Sequence, residues 1–208
     1  MININDRYLE SEEAGRRKEP YEDFYKCIKN TFDIKEFKSF VDIGCADGHL
    51  LEIISRENPD IDVRGLEYFD YHKKYAANSI VEKIKILDIR LPLSNEYNKK
   101  YDMVVCTEVG EHIDPEYCDS FMKNVKSLSS KYLIMTWSCH GGINDLQHDP
   151  HHQHLNPLSI DEYIRLISSY GYKLDVEKTN IFLKFTDNLK NFFPWWKESL
   201  RIWKLSND

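Results

Sequence analysis

The hydrophobic pattern of the chain alternates between short apolar runs and longer amphipathic stretches. Helical spacing is clearest at 49–58, where Leu50, Ile53 and Ile54 share one face of the predicted helix. Apolar runs typical of buried strands lie at 39–44, 61–67, 83–88, 101–108 and 132–137. Alternation of this kind favours an α/β fold built on a parallel sheet.

The remaining segments complete the predicted element order. Further helices are predicted at 71–80, 115–129 and 158–171, a strand at 172–178, and a last strand at the sheet edge at 200–205. Residues 1–35 are expected to form a helical arm. Residues 138–157 are polar and rich in histidine. The segment is longer than most loops that connect a strand to a helix, which predicts an active-site loop. We expect residues 1–208 to form a single domain.

Composition narrows the classes of protein. A net charge of −7 argues against a nucleic-acid-binding protein, because such proteins usually bind the phosphates through an excess of basic residues. The five cysteines include no C-x-x-C pair, so neither a zinc ribbon nor a disulfide framework is predicted. The chain has no apolar run of membrane-spanning length and no signal-peptide pattern, so we expect a cytoplasmic protein without a membrane partner.

Polar residues follow four of the predicted strands. The turn Gly44–Gly48 ends the first strand, and Glu67, Asp88 and Glu108 end the next three, at intervals of about twenty residues. Each feature alone fits a tight turn or a solvated charge. In an open parallel sheet, however, ligands bind at the carboxyl ends of the strands, so the joint spacing predicts a nucleotide-like cofactor with its ribose on Glu67.

The sequence of the turn discriminates between cofactors. It lacks the G-x-G-x-x-G pattern by which a helix N-terminus meets a pyrophosphate. Asp42 and Asp47 place negative charge beside it, which would repel a pyrophosphate. Carboxylates suit a ligand that carries an amino group and a sulfonium, and S-adenosylmethionine is such a ligand.

Four segments carry a family resemblance. VDIGCADGHL, GLEYFD, ILDIRLPL and YDMVVCTEVGEHI resemble motifs of the class I S-adenosylmethionine-dependent methyltransferases, over residues 39–137. The resemblance implies a Rossmann-like, seven-stranded, mostly parallel sheet flanked by helices. Ala46 departs from the family pattern, which often has glycine there. The implied cofactor-binding residues are Asp42, Gly44, Cys45, Ala46, Gly48, Glu67, Tyr68, Asp88, Ile89 and Glu108.

The stretch EVGEHI after the fourth strand holds the candidate catalytic groups. Glu108, Glu111 and His112 would share one face of a helical turn. In one interpretation His112 is a general base that Glu111 orients. In the other, Glu108, Glu111 and His112, with His154 as a further candidate, bind Mg²⁺ or Mn²⁺, which would lower the pKa of a substrate hydroxyl. A third interpretation makes Glu111 and His112 helix caps.

The predicted loop supplies the candidate acceptor site. The stretch TWSCHGGINDLQHDPHHQHLNPLSIDEYI is similar to small methyltransferases associated with surface-polysaccharide and phage gene sets. That resemblance implies that His140, His154 and Asn156 contact the acceptor. Isolated histidine-rich tracts, here with His148, His151 and His152, are more commonly solvated. The aromatic cluster FFPWWKESLRIW is predicted to pack in the core or at an edge rather than to bind a sugar.

Three functions are compatible with these observations. The first is a methyltransferase that acts on a hydroxyl or phosphoryl oxygen of a small or saccharide-linked acceptor, in surface-polysaccharide biosynthesis. The second is a metal-dependent RNA ribose 2′-O-methyltransferase, against which the acidic charge counts. The third is a binding module that keeps the cofactor pocket without the chemistry.

Overall fold

The computed structural model describes residues 18–94, 100–139 and 154–206. The predictions for most of the N-terminal arm and for His140, His148, His151 and His152 fall outside these ranges. Residues 154–157, at the end of the predicted loop, are described.

The described residues contain a seven-stranded sheet in the order β3-β2-β1-β4-β5-β7-β6. Strands β1 to β5 run parallel, and β7 pairs antiparallel with both β5 and β6. The predicted fold class, a mostly parallel Rossmann-like sheet, is confirmed. The strands are β1 (Ser39–Ile43), β2 (Asp62–Glu67), β3 (Ile84–Ile86), β4 (Tyr101–Cys106), β5 (Ser129–Met135), β6 (Tyr172–Leu174) and β7 (Arg201–Leu205).

Helices cover both faces of the sheet. The α-helices are α1 (Glu19–Thr31), α2 (His49–Glu57), α3 (Cys118–Leu128), α4 (Ile160–Ser169), α5 (Val176–Thr186) and α6 (Trp196–Ser199). Short 3₁₀ turns lie at Ile34–Glu36, Asp70–Lys74, Val81–Lys83, Gly110–His112 and Pro115–Tyr117. Helices α1, α2 and α5 contribute to one buried apolar cluster, and α3 and α4 contribute to the other.

Strand β1 shows how the sequence builds both layers. All five of its residues are buried. Phe40 packs in the cluster on the α1 and α2 side, whereas Val41 and Ile43 pack in the cluster on the α3 and α4 side. Successive side chains of a strand point to opposite faces, so a continuous apolar run places β1 in the middle of a sheet that is covered twice.

Two predicted elements were wrong. The helix at 71–80 is a 3₁₀ turn, Asp70–Lys74, followed by turns in which the N–H groups of Ile80 and Val81 donate to the Ala77 carbonyl. The strand predicted at 172–178 ends at Leu174, because Asp175 caps a new helix: its carboxylate accepts a hydrogen bond of 2.9 Å from the Lys178 N–H.

The last strand was also misplaced in the prediction. Strand β7 lies between β5 and β6, and β6 forms the edge of the sheet. Ile202 and Trp203 are fully buried there. The chain passes from β6 through α5 and α6 before it returns as β7, which pairs antiparallel with a strand on each side.

No helix in the described ranges combines the length and the apolar character needed to cross a membrane.

Candidate active site

One cavity of about 620 Å³ opens at the carboxyl ends of the parallel strands. Two groups of residues line it. One group lies around the turn after β1 and the ends of β2 and β3, and the other belongs to α1, the Gly110–His112 turn, residues 154–155 and residues 193–196. The lining includes these predicted site residues: Asp42, Gly44, Cys45, Ala46, Glu67, Tyr68, Asp88, Ile89, Glu108, His112 and His154.

The turn after β1 approaches the cavity through left-handed backbone. Gly44 has φ of 73°, and a Cβ there would lie 2.3 Å from Cγ2 of Val109, so only glycine fits. Ala46 also has positive φ, 45°, although it carries a side chain. Gly48 does not line the cavity: it precedes α2, and a Cβ there would lie 2.7 Å from Cδ1 of Ile80. Its role in this structure is close packing.

Backbone amides hold the Glu67 carboxylate at the end of β2. The N–H groups of Tyr68 and Phe69 donate to Oε1 at 2.8 and 2.9 Å, and the Ala46 N–H donates to Oε2 at 2.8 Å. A carboxylate offers about four acceptor positions, so about one remains for a ribose hydroxyl. Glu67 is buried and already oriented toward the turn before any ligand binds.

At the end of β3, Asp88 forms a bidentate ion pair with Arg90. Nε donates to Oδ1 at 2.8 Å and Nη2 to Oδ2 at 2.7 Å. Hydrogen bonds from Arg90 hold the pKa of Asp88 below its ordinary value. The Arg90 guanidinium also lies over the rings of Tyr68 and Tyr117, at 5.3 and 5.4 Å from their centroids.

Asp42 has the opposite environment. It is 5% exposed, and burial, followed by the negative charge of Glu67, raises its pKa well above the ordinary value. No described residue donates a hydrogen bond that offsets this effect. A buried carboxylate without a donor is costly, and an ammonium group in the cavity would satisfy it. Asp42 thus fits the amino group of the expected cofactor.

A buried histidine that sequence analysis missed supports the turn. Nδ1 of His72 lies 2.7 Å from Oδ1 of Asp47, and both side chains line the cavity while only 3% and 5% exposed. The pair connects the turn after β1 to the 3₁₀ turn after β2. No sequence pattern indicated this pair, because the two residues meet only when β1 and β2 lie side by side.

Glu108 follows β4 in left-handed backbone, with φ of 56°. Thr136 holds it twice: its hydroxyl accepts from the Glu108 N–H at 2.8 Å and donates to Oε1 at 2.8 Å. Burial raises the pKa of Glu108, while the Thr136 hydrogen bond and His154 act to lower it. Strained backbone that a neighbouring strand stabilises is common at active sites.

The catalytic candidates form a compact group. One ligand atom from each of Glu111, His112 and His154 lies within 4.8 Å of the others, and the two imidazole centroids are 5.1 Å apart. Glu108, a predicted member, lies outside this group. His112 and His154 line the cavity. The backbone joins the segments, because the Asn156 N–H donates to the Glu111 carbonyl at 2.9 Å.

Glu111 is fully buried behind the cavity lining. Burial, followed by the negative charge of Glu108, raises the pKa of Glu111 to about 8, and the backbone near Glu111 and Ser138 offsets only part of this rise. The backbone groups that offset this rise are not placed well enough to form a full hydrogen bond with either carboxylate oxygen. Two imidazoles beside such a carboxyl can exchange protons with it or share a cation with it.

Asn156, a predicted acceptor residue, does not line the cavity. Its backbone carbonyl accepts a hydrogen bond of 2.7 Å from Nε1 of Trp137, which anchors the end of the loop to the segment after β5. The side chain lowers the pKa of Cys118 through a hydrogen bond, although burial still raises that pKa overall. These contacts hold the backbone two residues beyond His154.

The C-terminal aromatic cluster packs in the core as predicted for most of its rings, and Trp195 is the exception. Phe192, Trp196 and Trp203 are buried as expected, whereas Phe193 is only partly buried and Trp195 is 56% exposed. Phe193, Trp195 and Trp196 line the cavity, together with Tyr21 of α1. The high number of aromatic residues in this segment was the one sequence feature that could have indicated a role in the cavity. Periodicity could not separate core rings from cavity rings in a segment whose only helix, α6, is four residues long.

Comparisons with known proteins identify the family and the fold. A family model described as "Methyltransferase domain" matches residues 15–177. No curated protein matches the chain in sequence. Among solved structures, the plantazolicin methyltransferase BpumL with bound SAH is 16% identical, with a TM-score of 0.67 over 98% of this chain and 91% of that chain.

Two further structures are similar. A SAM-dependent methyltransferase from Archaeoglobus fulgidus is 17% identical, with a TM-score of 0.63 over 95% of this chain and 98% of that chain. The magnesium protoporphyrin IX methyltransferase of Synechocystis PCC 6803 with bound SAH is 15% identical, with a TM-score of 0.56 over 80% of this chain and 73% of that chain. At these identities the likeness concerns the fold.

Proposed function

The chain belongs to the class I S-adenosylmethionine-dependent methyltransferases, and from this premise we propose that it methylates a hydroxyl oxygen of a small or saccharide-linked acceptor. The observation that carries the proposal is the group of Glu111, His112 and His154 at the cavity. A hydroxyl must lose its proton when it is methylated, whereas a thiolate or a neutral amine needs less help. Two imidazoles facing the reaction site supply a proton acceptor.

The first half of the cavity would hold the cofactor. S-adenosylmethionine supplies a methyl group on a sulfonium, and its transfer to oxygen breaks the carbon–sulfur bond and yields a methyl ether, S-adenosylhomocysteine (SAH) and a proton. Asp42 binds the ammonium group, and Glu67 accepts from the ribose. Asp88 and Ile89 contact the adenine. These assignments use the burial and hydrogen-bond capacity described above.

The second half would orient the acceptor and take its proton. His112 accepts the hydroxyl proton, and the Glu111 carboxyl next to it orients the imidazole. His154 acts from the other side as a hydrogen-bond partner of the acceptor. Alignment of the acceptor with the methyl group contributes most of the rate, and the base adds roughly 10²- to 10⁴-fold.

A second candidate chemistry for the same group is a divalent cation. The burial of the Glu111 carboxyl next to two imidazoles favours this candidate. One carboxylate and two imidazoles suit Mn²⁺ or another transition metal such as Zn²⁺ or Fe²⁺ better than Mg²⁺, which prefers oxygen ligands. Bound there, a cation would supply Lewis acidity that makes an acceptor hydroxyl more acidic. Glu111, His112 and His154 would be its ligands.

His112→Ala tests the proposal. We expect SAH to bind the variant with a Kd within about twofold of wild type. Methyl transfer to whichever hydroxyl probe the wild type methylates, catechol or methyl α-glucoside, should fall by at least about 100-fold. Glu116→Ala, at an exposed position in the next 3₁₀ turn, is the control and should keep both properties. Undiminished transfer by His112→Ala, or transfer only to an amine probe such as benzylamine, would contradict the proposal.

Titration with Mn²⁺ distinguishes the two chemistries of the group. If a cation is bound, isothermal calorimetry should show a Mn²⁺ heat that Glu111→Gln abolishes, and EDTA should stop methyl transfer. If the group acts without a metal, EDTA leaves transfer unchanged and Mn²⁺ gives no saturable heat.

No observation on the described residues favours RNA as the acceptor. Arg90 is the residue with a fixed positive charge among those that line the cavity in the described ranges, and Asp88 already pairs with it. An RNA acceptor would need cations for its phosphates. The non-catalytic alternative is equally unsupported, since the imidazoles of His112 and His154 face the cavity.

A further inference from the structure

Beyond the cofactor half, five aromatic rings line the cavity: Tyr21, Phe24, Phe193, Trp195 and Trp196. We call the three that are not buried, Tyr21, Phe193 and Trp195, the aromatic wall. Tyr21 belongs to α1, whereas the other two precede α6. The wall therefore joins the beginning and the end of the described chain at the cavity. The same cavity is lined by His112 and His154, so the wall and the imidazoles face one common space.

Two buried rings of the same cavity lining, Phe24 and Trp196, support the wall. The centroids of Tyr21 and Phe193 lie 5.8 Å apart, and those of Phe193 and Trp195 lie 5.1 Å apart. Trp196, only 4% exposed, packs against Phe193 at 4.5 Å and against Phe24 of α1 at 5.1 Å. Such packing fixes the wall before any acceptor binds, which lowers the entropic cost of binding.

One face of the wall remains open. Trp195 is 56% exposed, and Leu155, next to His154 in the chain, is 46% exposed and lines the same cavity. Single exposed apolar residues are ordinary at protein surfaces. Here, however, the exposed ring lies in a concave site beside two other rings, and apolar surfaces collected in a cavity are typical of ligand contacts.

The charges around the wall restrict the ligand. The acids that line the cavity belong to the cofactor half, apart from Glu108, which hydrogen-bonds to Thr136. Arg90 is engaged by Asp88. Within the described residues, the wall half of the cavity is thus lined by rings, aliphatic side chains and imidazoles. A phosphorylated acceptor would find no cation of fixed charge among these described residues, which favours a neutral ring.

We propose that the aromatic wall binds the flat face of a neutral ring that carries the acceptor hydroxyl. The proposal rests on the proposed O-methyltransferase function and names its substrate class. A phenolic ring offers its π face and a pyranose ring offers a face of C–H groups, and both pack against Trp195 and Phe193 in the same way. The face of the ring packs against the aromatic wall, and its hydroxyl points toward His112 and His154.

Binding of small probes to the SAH-saturated full-length protein tests the wall. Saturation-transfer NMR and calorimetry would use catechol for the aromatic arm, methyl α-glucoside for the sugar arm, and 1,6-hexanediol as a hydroxylated probe without a ring. We expect at least one ring probe to bind, and the diol to bind at least about tenfold more weakly. Binding of catechol would indicate an aromatic acceptor, and binding of methyl α-glucoside would indicate a sugar acceptor.

Variants of Trp195 complete the test. Trp195→Ala should weaken the ring probe by about tenfold or more, whereas Trp195→Phe, which keeps a flat ring, should retain most of the affinity. Val176→Ala, another exposed apolar position but outside the cavity lining, is the control. SAH binding by each variant reports that the protein is folded.

The outcomes separate the wall from the proposed function. The wall is overturned if neither ring probe binds wild type, if Trp195→Ala binds the ring probe as well as Val176→Ala does, or if uridine monophosphate binds better than the neutral rings. If a ring probe binds through Trp195 but wild type transfers no methyl group to its oxygen, the wall stands and the O-methyltransferase proposal fails.

Discussion

Asp42→Asn separates the contribution of a buried carboxylate to cofactor binding from its effect on stability. Burial, followed by the charge of Glu67, raises the pKa of Asp42 in the folded protein. The folded state therefore binds this proton more tightly than the unfolded chain does. As the pH rises from the ordinary carboxyl range through the raised pKa, stability must fall, by about 1.4 kcal/mol for each tenfold difference in proton affinity.

Asparagine keeps the shape of the side chain and removes the titration. We expect Asp42→Asn without ligand to melt at a higher temperature than wild type at pH 8, and this advantage to shrink as the pH approaches 4. The same change should weaken SAH by roughly 10- to 150-fold, because a hydrogen bond to a charged group contributes about 1.5–3 kcal/mol. Fluorescence-detected melting from pH 4.5 to 8.5 and calorimetric titration with SAH measure the two effects.

Asp102→Asn is a control with the opposite sign. Burial acts to raise the pKa of Asp102, but hydrogen bonds from the Lys38 N–H and from Lys131 hold it below its ordinary value. Its stabilisation is present above the unfolded pKa and is lost as the pH falls through the folded pKa. Asp102→Asn should therefore destabilise at neutral pH and leave SAH affinity unchanged. If Asp42→Asn is less stable than wild type at pH 8 and binds SAH normally, the argument for Asp42 is refuted.

Two further changes test how the turn after β1 is held. Gly65→Ala would place a Cβ 2.5 Å from the sulphur of Cys45, so we expect a loss of about 1–3 kcal/mol in urea unfolding and weaker SAH binding; unchanged stability would contradict the packing described. His72→Ala removes the imidazole that contacts Asp47 and should cost at least about 2 kcal/mol, whereas His72→Asn, whose amide can replace Nδ1, should recover part of that loss; equal stability of the two variants would show that the contact contributes little.

Local pattern was sufficient for the parallel half of the sheet. The strands β1, β2, β4 and β5 each coincide with an apolar run, and Gly44 and Glu67 follow β1 and β2 as predicted. These features are encoded locally, since burial on both faces requires a continuous apolar run and a left-handed turn favours glycine.

The errors lie where local and tertiary preferences conflict. Residues 71–80 have helical spacing, yet they form a 3₁₀ turn and further turns. In this conformation His72 contacts the Asp47 carboxylate. Residues 176–178 look like the continuation of a strand, but the Asp175 cap makes them helical. Asp175 is a short polar side chain whose capping role depends on where the strand ends, which periodicity locates poorly.

The sequence by itself determined the sheet that carries the site, the turn and the carboxylates at the strand ends, because each depends on residues close together in the chain. Only the tertiary structure decided that Glu111 is buried behind His112, that Asn156 anchors a loop, and that Tyr21 meets Phe193 and Trp195 at the cavity. Those contacts join residues far apart in sequence. Their side chains carry no local signal of which partner they will meet, since packing of the whole chain selects it.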